Sequence, residues 1–210
     1  ASTGIKNEGV IKLLRGEKGS IVNINIKRRG QLELMPFAII RDDIPLYSVD
    51  VGIMLQSNIG YVKINRFAAT TYKEMMEKVN SLQQAGMQKL ILDLRGNPGG
   101  YLHIANQMCD EFLKDGELIV FTEGRNRPKE ETFATRNGQL ENIKVIVLID
   151  EGSASASEIV SGALQDNDRG KIIGRRSFGK GLVQEQIPLQ DGSVIRLTTQ
   201  RYYTPSGRCI

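Results

Sequence analysis

A short apolar run passes directly into a glycine-rich loop in the stretch Lys89-Leu90-Ile91-Leu92-Asp93-Leu94-Arg95-Gly96-Asn97-Pro98-Gly99-Gly100. The run predicts a fully buried β-strand, and a helix is predicted after the loop at 101–114. The same succession returns farther along the chain, with a buried strand at 144–149, a loop at 150–157 and a helix at 157–166. Because strands alternate with helices in this way, the sequence predicts a layered α/β domain.

The other predicted elements extend this alternation in both directions. A strand pair is predicted at 49–55 and 59–64. A helix is predicted at 71–85, where Thr71 and Glu74 have the spacing of a capping box, in which each side chain satisfies a backbone N–H of the other residue. The remaining elements are a helix at 8–15, a strand at 22–26, an extended stretch at 37–47 broken at Pro45, a strand at 117–121, a charged segment at 123–143, a strand at 171–173 and a hairpin that turns at Asp191-Gly192.

Length and composition limit the classes of protein to consider. With 210 residues, 40% hydrophobic and 25% charged, the chain is typical of a globular protein with one core and at most a small appendage. Its apolar runs stop after a handful of residues, whereas a membrane-spanning helix needs about twenty. The start of the chain lacks the charged and apolar segments of a secretory signal, and we expect it to be a fragment of a longer protein.

Charge and metal-ligand content argue against two further classes. The net charge of +4 comes from dispersed basic residues without interleaved aromatics, so no nucleic acid partner is expected. Two cysteines, Cys109 and Cys209, and a single histidine cannot assemble a zinc site, and no metal is expected. Cys109 lies in a helical pattern and is predicted to be a small buried hydrophobic residue.

Three loops that follow apolar strands are candidates for the functional site, because the loops at the carboxyl ends of strands build the sites of α/β proteins; they lie at 95–100, 150–157 and 174–181. In the second loop a serine precedes a helix, where unsatisfied N–H groups can stabilise an oxyanion. Serine is also a preferred helix N-cap. Ser153 and Ser157 are predicted to have capping or packing roles. For Ser155 the residues of the loop alone do not decide between a helix cap and a nucleophile.

A nucleophilic serine needs a base. The only histidine, His103, lies just inside a helix and is predicted to be an ordinary surface residue rather than a member of a Ser-His-Asp triad. Lys180, between Gly179 and Gly181, is the remaining candidate. To act near neutral pH, its pKa must fall from about 10.4 to roughly 7–8 through burial or neighbouring groups.

A phosphate-binding loop is the competing interpretation of the same segment, because residues 174–180 have the G-x-x-x-x-G-K spacing. That motif requires Ser or Thr as the next residue, to bind magnesium, and then a helix whose N-terminus faces the phosphates. Gly181 occupies the next position, and 182–187 predicts a strand. We therefore expect no nucleotide partner.

Longer motifs across residues 48–210 are jointly more specific than any short pattern. They are Leu92-Asp93-Leu94-Arg95-Gly96-Asn97-Pro98-Gly99-Gly100, Gly152-Ser153-Ala154-Ser155-Ala156-Ser157-Glu158-Ile159, Gly162-Ala163-Leu164-Gln165-Asp166, Ser177-Phe178-Gly179-Lys180-Gly181-Leu182-Val183-Gln184 and Arg201-Tyr202-Tyr203-Thr204-Pro205-Ser206-Gly207. With these motifs the chain resembles the C-terminal processing (tail-specific) serine proteases of the Ser/Lys dyad type. The resemblance implies a layered α/β core of the ClpP/crotonase-like kind.

The same resemblance implies roles for individual residues. Ser155, the middle serine of its run, would be the nucleophile, Lys180 its general base, and Gln184 the residue that orients the lysine. Asp166 matches an aspartate of the family and is interpreted as structural support. The reaction implied is cleavage of protein or peptide chains from their C-terminal region through an acyl-enzyme, with no cofactor.

An oxyanion hole is also implied, formed by backbone N–H groups. Ala156, directly after the nucleophile, would provide one donor. A glycine of the Asn-Pro-Gly-Gly loop, either Gly99 or Gly100, would provide the other, and the sequence does not decide between them. A catalytically silent peptide-binding or scaffold module is the alternative function, because the regions that flank the core in the family are incomplete here.

The resemblance further predicts how the chain is divided. Residues 1–30 would be the C-terminal remnant of a PDZ domain, 31–47 a linker, and 48–210 the protease core. The implied substrates bind as an extended strand added to a sheet edge, a homo-oligomer is left open, and the implied location is the periplasm or another extracytoplasmic part of the envelope.

Overall fold

A computed structural model describes residues 4–43 and 46–210 of the protein. The chain forms two compact units, divided between Leu46 and Tyr47. The predicted break at Pro45 lies outside the described residues. None of the described helices combines the length and apolar content that a bilayer crossing requires.

The first unit contains helix α1 (Asn7–Leu14), strand β1 (Ile21–Ile26) and strand β2 (Met35–Ile40). The two strands pair antiparallel, with Ile21 opposite Ile40. The predicted helix and first strand are present, and β2 lies inside the segment predicted as a linker. The assignment of residues 1–30 to a PDZ remnant stays a prediction.

The second unit is built on two sheets and three helices. A five-stranded sheet has the order β3-β4-β5-β8-β9, and a four-stranded sheet the order β10-β11-β6-β7. In chain order the elements are β3 (Val51–Gln56), β4 (Ile59–Lys63), α2 (Thr71–Gln84), β5 (Lys89–Asp93), α3 (Leu102–Phe112), β6 (Leu118–Gly124), β7 (Arg127–Phe133), β8 (Lys144–Ile149), α4 (Ala156–Asp166), β9 (Gly170–Gly174), β10 (Leu182–Pro188) and β11 (Val194–Tyr203).

The five-stranded sheet explains where a site can form. Strands β4, β5, β8 and β9 run parallel, and β3 pairs antiparallel with β4 at one edge. Since parallel strands end at the same edge, the loops after β5, β8 and β9 are brought side by side. The four-stranded sheet is antiparallel throughout. The predicted α/β class is therefore confirmed.

The core lies between the five-stranded sheet and its helices. On β5, Leu90 and Leu92 are buried, Ile91 is half-buried and Lys89 is exposed, so burial alternates over 89–92 and the strand is not fully buried as predicted. The reason is that the period of two turns every second side chain toward the other face. Cys109 is buried in α3, as predicted, and burial raises the pKa of its thiol.

Two further local features differ from the sequence analysis: a strand that it did not foresee and a capping box that is not formed. The charged segment at 123–143 contains β7, which lacks apolar alternation and is held as a strand by pairing with β6. The predicted capping box is also absent from the start of α2. Glu74 instead accepts hydrogen bonds from the Ser48 and Val49 N–H groups at 2.7 and 2.9 Å, so its carboxylate fastens a preceding segment to the helix.

Candidate active site

The three loops that the sequence singled out meet at the carboxyl edge of the parallel strands, as predicted. The N–H of Gly96, in the loop after β5, donates to Asp150 Oδ1 in the loop after β8 at 2.8 Å. The Ala154 N–H donates to the carbonyl oxygen of Asn97 at 2.9 Å, and the Phe178 N–H, in the loop after β9, donates to that of Ser153 at 3.0 Å. Hydrogen bonds thus join all three loops.

Two carboxylates hold the loop after β5. Burial acts to raise the pKa of Asp93, but the Arg95 guanidinium, the Tyr61 hydroxyl and the Arg95 N–H outweigh it and lower the pKa to about 2. The pKa of Asp150 is lowered by the Gly96 N–H and then by further donors. Both groups are therefore ionised acceptors that fix the backbone where the glycine-rich loop begins.

Ser155 has an unusual backbone conformation at the N-terminus of α4. Its φ and ψ are 55° and −112°, and among the described non-glycine residues only Ser155 and Asp168 have positive φ. Such a conformation costs about 1–3 kcal/mol and persists only where the surroundings impose it. The residue is half-buried, so its hydroxyl lies in a strained, accessible turn directly before a helix.

The neighbouring serines have the packing roles predicted for them. The Ser153 hydroxyl donates to the Leu94 carbonyl at 2.8 Å, and the Ser157 hydroxyl donates to the Asn97 carbonyl at 3.0 Å. Both residues are buried. The structure therefore separates the three serines: two fasten the loop, and Ser155 lies at the accessible turn, where it is also the N-cap of α4 in a capping box with Glu158.

Gly99 lies against Ser155 at a distance that only glycine allows. A Cβ placed on Gly99 would lie 2.8 Å from the Ser155 Cβ and 3.0 Å from the Ala156 nitrogen, and the φ of Gly99 is +95°. Buried Asn97 holds this approach, because its Oδ1 accepts from the Gly99 N–H at 2.9 Å and its Nδ2 donates to the Ile64 carbonyl at 2.9 Å. Sequence reasoning had assigned no role to Asn97.

The backbone geometry favours Gly100 over Gly99 as an oxyanion donor. The Gly99 N–H is occupied by Asn97. The Gly99 carbonyl accepts from the Phe67 N–H at 2.9 Å, and because the peptide is trans, the Gly100 N–H points away from Phe67. The Ala156 N–H belongs to the first residue of α4 and has no acceptor within the helix.

Glu158 joins the loop of Ser155 to the loop of Lys180. Its Oε2 accepts hydrogen bonds from the Ser155 and Lys180 N–H groups, both at 2.8 Å, and its Oε1 accepts from the Gly179 N–H at 2.7 Å. The side chain is buried, with 6% of the residue exposed. Sequence reasoning missed this residue, although Ser155 and Glu158 have the capping-box spacing that was applied at the start of α2.

The side chains of Lys180 and Gln184 are not brought together. The backbone of Lys180 lies beside the Ser155 loop through Glu158, while the lysine and Gln184 are both exposed. Within residues 4–43 and 46–210, no hydrogen bond joins the Lys180 ammonium to Gln184 or to Ser155. The structure thus places the lysine backbone at the site and leaves its side chain turned to solvent.

Other candidate residues lie outside this constellation. His103 is exposed and stands beside Tyr101, with ring centroids 5.4 Å apart. Asp166 accepts from the Ser206 N–H at 3.0 Å and pairs with Arg208, which fits the structural role expected of it. The segment after Lys180 is strand β10, so the helix that a phosphate-binding loop requires is missing from this part of the described chain.

Comparison with known proteins identifies the family of the chain. The model of peptidase family S41 matches residues 58–210. A carboxy-terminal-processing protease of Bartonella bacilliformis is 42% identical over 209 residues, covering 97% of this chain and 47% of that protein. The carboxy-terminal processing protease CtpB of Bacillus subtilis is 36% identical over 206 residues, covering 97% of this chain and 42% of that protein.

The solved structure of a photosystem II D1 C-terminal processing protease has a TM-score of 0.71 and 28% identity, covering 100% of this chain and 57% of that one. The chain spans less than half the length of the two curated relatives above. The resemblance seen in the sequence motifs is confirmed, together with the layered protease-core fold. The chain belongs to peptidase family S41.

Proposed function

We propose that this chain carries the catalytic machinery of a serine endopeptidase that cleaves protein or peptide chains in their C-terminal region. Ser155 is the nucleophile and Lys180 the general base. The observation that carries the proposal is the strained turn at Ser155, positioned at the N-terminus of α4 and against Gly99. The named relatives, which are carboxy-terminal processing proteases, support the substrate class.

The proposed reaction proceeds in two steps through an acyl-enzyme. Neutral Lys180 takes the proton of the Ser155 hydroxyl while Oγ attacks the substrate carbonyl carbon, and the oxyanion accepts hydrogen bonds from the Ala156 and Gly100 N–H groups. The carbon–nitrogen bond then breaks, and Lys180 gives the proton to the leaving amine. Water attacks the ester with Lys180 again as base, and the proton returns to the Ser155 oxygen.

The exposed Lys180 side chain must turn inward for this reaction. Its backbone is held by Glu158, so the proposed movement is a rotation about the side-chain bonds that turns the amine toward Ser155 and leaves the loop in place. A bound substrate would cover the lysine, and burial lowers the pKa of an amine because the charged form loses its hydration. In this arrangement Gln184, on the adjoining strand β10, orients the turned-in lysine.

The substrate proposed is an extended polypeptide that binds as an added strand. The chemistry uses only protein groups, and neither a nucleotide nor a nucleic acid takes part. By family resemblance the protein acts in the periplasm or another extracytoplasmic part of the envelope.

A silent peptide-binding module is the second candidate, and the exposure of Lys180 favours it. A lysine that never turns inward stays beyond hydrogen-bond reach of the serine hydroxyl and cannot take its proton. The two candidates differ in whether Ser155 is chemically reactive. That difference can be measured directly.

The test is the rate of labelling by a fluorophosphonate probe, with the wild-type whole protein beside Ser155→Ala, Lys180→Ala and Gln184→Ala. Ser193→Ala, in the exposed hairpin turn, is the matched serine control. We expect labelling to vanish in the first two variants, to slow in the third and to be unchanged in the control. Labelling of Ser155→Ala at the wild-type rate, or an unlabelled wild type that still binds peptide, would overturn the proposal.

A further inference from the structure

Glu158 is the one buried carboxylate that contacts both the nucleophile loop and the lysine loop in the described chain. We propose that it is a positioning residue, which sets the separation of the Ser155 hydroxyl and the Lys180 side chain for proton transfer. The inference rests on the proposed function. We call Glu158 with the N–H groups of Ser155, Gly179 and Lys180 the carboxylate clamp.

A single oxygen atom sets the distance within the clamp. The backbone nitrogens of Ser155 and Lys180 each lie 2.8 Å from Oε2 of Glu158, so they are no farther apart than twice that length. The two residues are 25 positions apart in the chain, and proton transfer between them requires hydrogen-bond reach. The clamp therefore brings the backbones of Ser155 and Lys180 close together although the two residues are far apart in the chain.

An ionised carboxylate suits this task better than any neutral side chain. It is an acceptor only, with about four lone-pair sites, and the clamp presents three N–H donors to it. An amide of the same shape has one acceptor oxygen and would turn an NH₂ group toward a backbone N–H. The carboxylate also lies in the first turn of α4, where the helix dipole favours a negative charge.

The lysine loop is held on both sides of the clamp. Before it, the Phe178 N–H donates to the Ser153 carbonyl at 3.0 Å, and after it the Gly181 carbonyl accepts from the Tyr202 N–H at 2.8 Å. The backbone around Lys180 is thus fixed, and only its side chain is left to move. A fixed backbone aligns base and nucleophile, so loss of the clamp lowers kcat and leaves substrate capture largely unchanged.

Glu111 provides a matched control, because it is an equally buried carboxylate with a different task. It is 1% exposed, accepts from the Tyr72 hydroxyl at 2.6 Å and the Gln139 N–H at 2.9 Å, and contacts neither Ser155 nor Lys180. Glu111 also pairs with Arg136. Replacing Glu111 by Gln therefore removes an equally buried carboxylate charge without touching the loops of the proposed site.

The experiment compares Glu158→Gln and Glu111→Gln in the whole protein, with kcat and KM measured on a peptide substrate and corrected for the folded fraction. A hydrogen bond to a charged group, and a displacement of about 1 Å at reacting atoms, each affect rates by roughly 10- to 100-fold. We expect Glu158→Gln to lower kcat by about 100-fold and to change KM less than about threefold. Glu111→Gln should lower the melting temperature and leave kcat and KM unchanged.

Several outcomes would refute the role. An unchanged kcat in folded Glu158→Gln would refute it, and so would an equal loss of kcat in both variants, which would indicate a structural effect only. Glu158→Asp, which keeps the charge but is one methylene shorter, should lose about tenfold in kcat; full activity would overturn the clamp.

Should neither Glu158 variant fold, amide hydrogen exchange in the wild type decides. Rapid exchange at Gly179 and Lys180 would contradict the clamp, and slow exchange in this exposed loop would support it. Failure of the proposed function looks different, because the wild type itself would then resist the fluorophosphonate.

Discussion

Replacing Gly99 by Ala should impair the proposed catalytic site more than it impairs the fold. The new Cβ would lie 2.7 Å from the Ala154 carbonyl oxygen, 2.8 Å from the Ser155 Cβ and 3.0 Å from the Ala156 nitrogen. Two of these three atoms belong to the backbone of the turn before α4, which cannot yield by a side-chain rotation. The turn carrying the nucleophile must therefore move.

The magnitude follows from two contributions. An Ala at φ +95° costs about 1–2 kcal/mol, and the close contacts add an overpacking cost of about 1–3 kcal/mol. Because Ala restricts the unfolded chain, about 0.4–1 kcal/mol is recovered. The free energy of unfolding should fall by about 3 kcal/mol, a decrease in melting temperature of roughly 6–12 °C for a chain of this size.

Gly116→Ala is the matched control, because Gly116 has φ +80° and nothing within 4 Å of an added Cβ. The Gly116→Ala variant has the same backbone strain without the close contacts. Its free energy of unfolding should fall by about 1 kcal/mol, and the probe should label it at the wild-type rate. The assay is fluorophosphonate labelling per folded molecule, alongside urea unfolding. A displacement of about 1 Å at Ser155 predicts a labelling rate about 100-fold lower for Gly99→Ala. Wild-type labelling by folded Gly99→Ala would show that this contact does not position the nucleophile.

Three further predictions concern charge, anchoring and thiol access. The pKa of Asp93 is about 2 in the fold against about 4 when unfolded, so its ionised form contributes about 2 kcal/mol to the free energy of unfolding above pH 4, and this contribution disappears as the pH falls from 4 to 2. The melting temperature of Asp93→Asn should therefore depend less on pH over that interval than the melting temperature of the wild type. Parallel pH profiles of the two proteins would contradict this cause. Asp166→Asn should loosen the segment bound through Ser206, lowering stability by about 1–3 kcal/mol and speeding tryptic cleavage there, whereas unchanged cleavage would speak against the anchor. A maleimide should modify exposed Cys209 and spare buried Cys109 in the native protein, with both reacting in urea; two native labels would disprove the burial of Cys109.

Much of the fold followed from local patterns. The apolar run at 89–94 and the one at 144–149, each before a loop and a helix, predict strands of a parallel sheet, because their period and flanking turns are properties of neighbouring residues. Once the strands are parallel, their loops must meet at one edge. The placement of Ser155 and of the Lys180 backbone in adjoining loops therefore follows from residue patterns alone.

The errors and omissions have a common physical origin. Strand β7 has no apolar alternation and exists because β6 offers it hydrogen bonds. Glu74 has the spacing of a local cap, but its carboxylate binds the N–H of Ser48, 26 positions away. Sequence patterns predict hydrogen bonds between neighbouring residues only. In the folded chain a polar group can instead bind a donor or acceptor from a distant segment that the fold brings close to it.

The sequence by itself determined the family and most of the order of strands and helices, because long motifs, residue type and short-range spacing carry them. The candidate nucleophile and base came from the family resemblance of those motifs. Only the tertiary structure decided which glycine N–H is already occupied, and that the Glu158 carboxylate joins two loops. Those facts depend on hydrogen bonds between distant segments, such as that from Gly179 to Glu158 across 21 positions. Only folding fixes such distances, because an unfolded chain samples a broad range of separations between remote polar atoms and loses entropy when they are brought together.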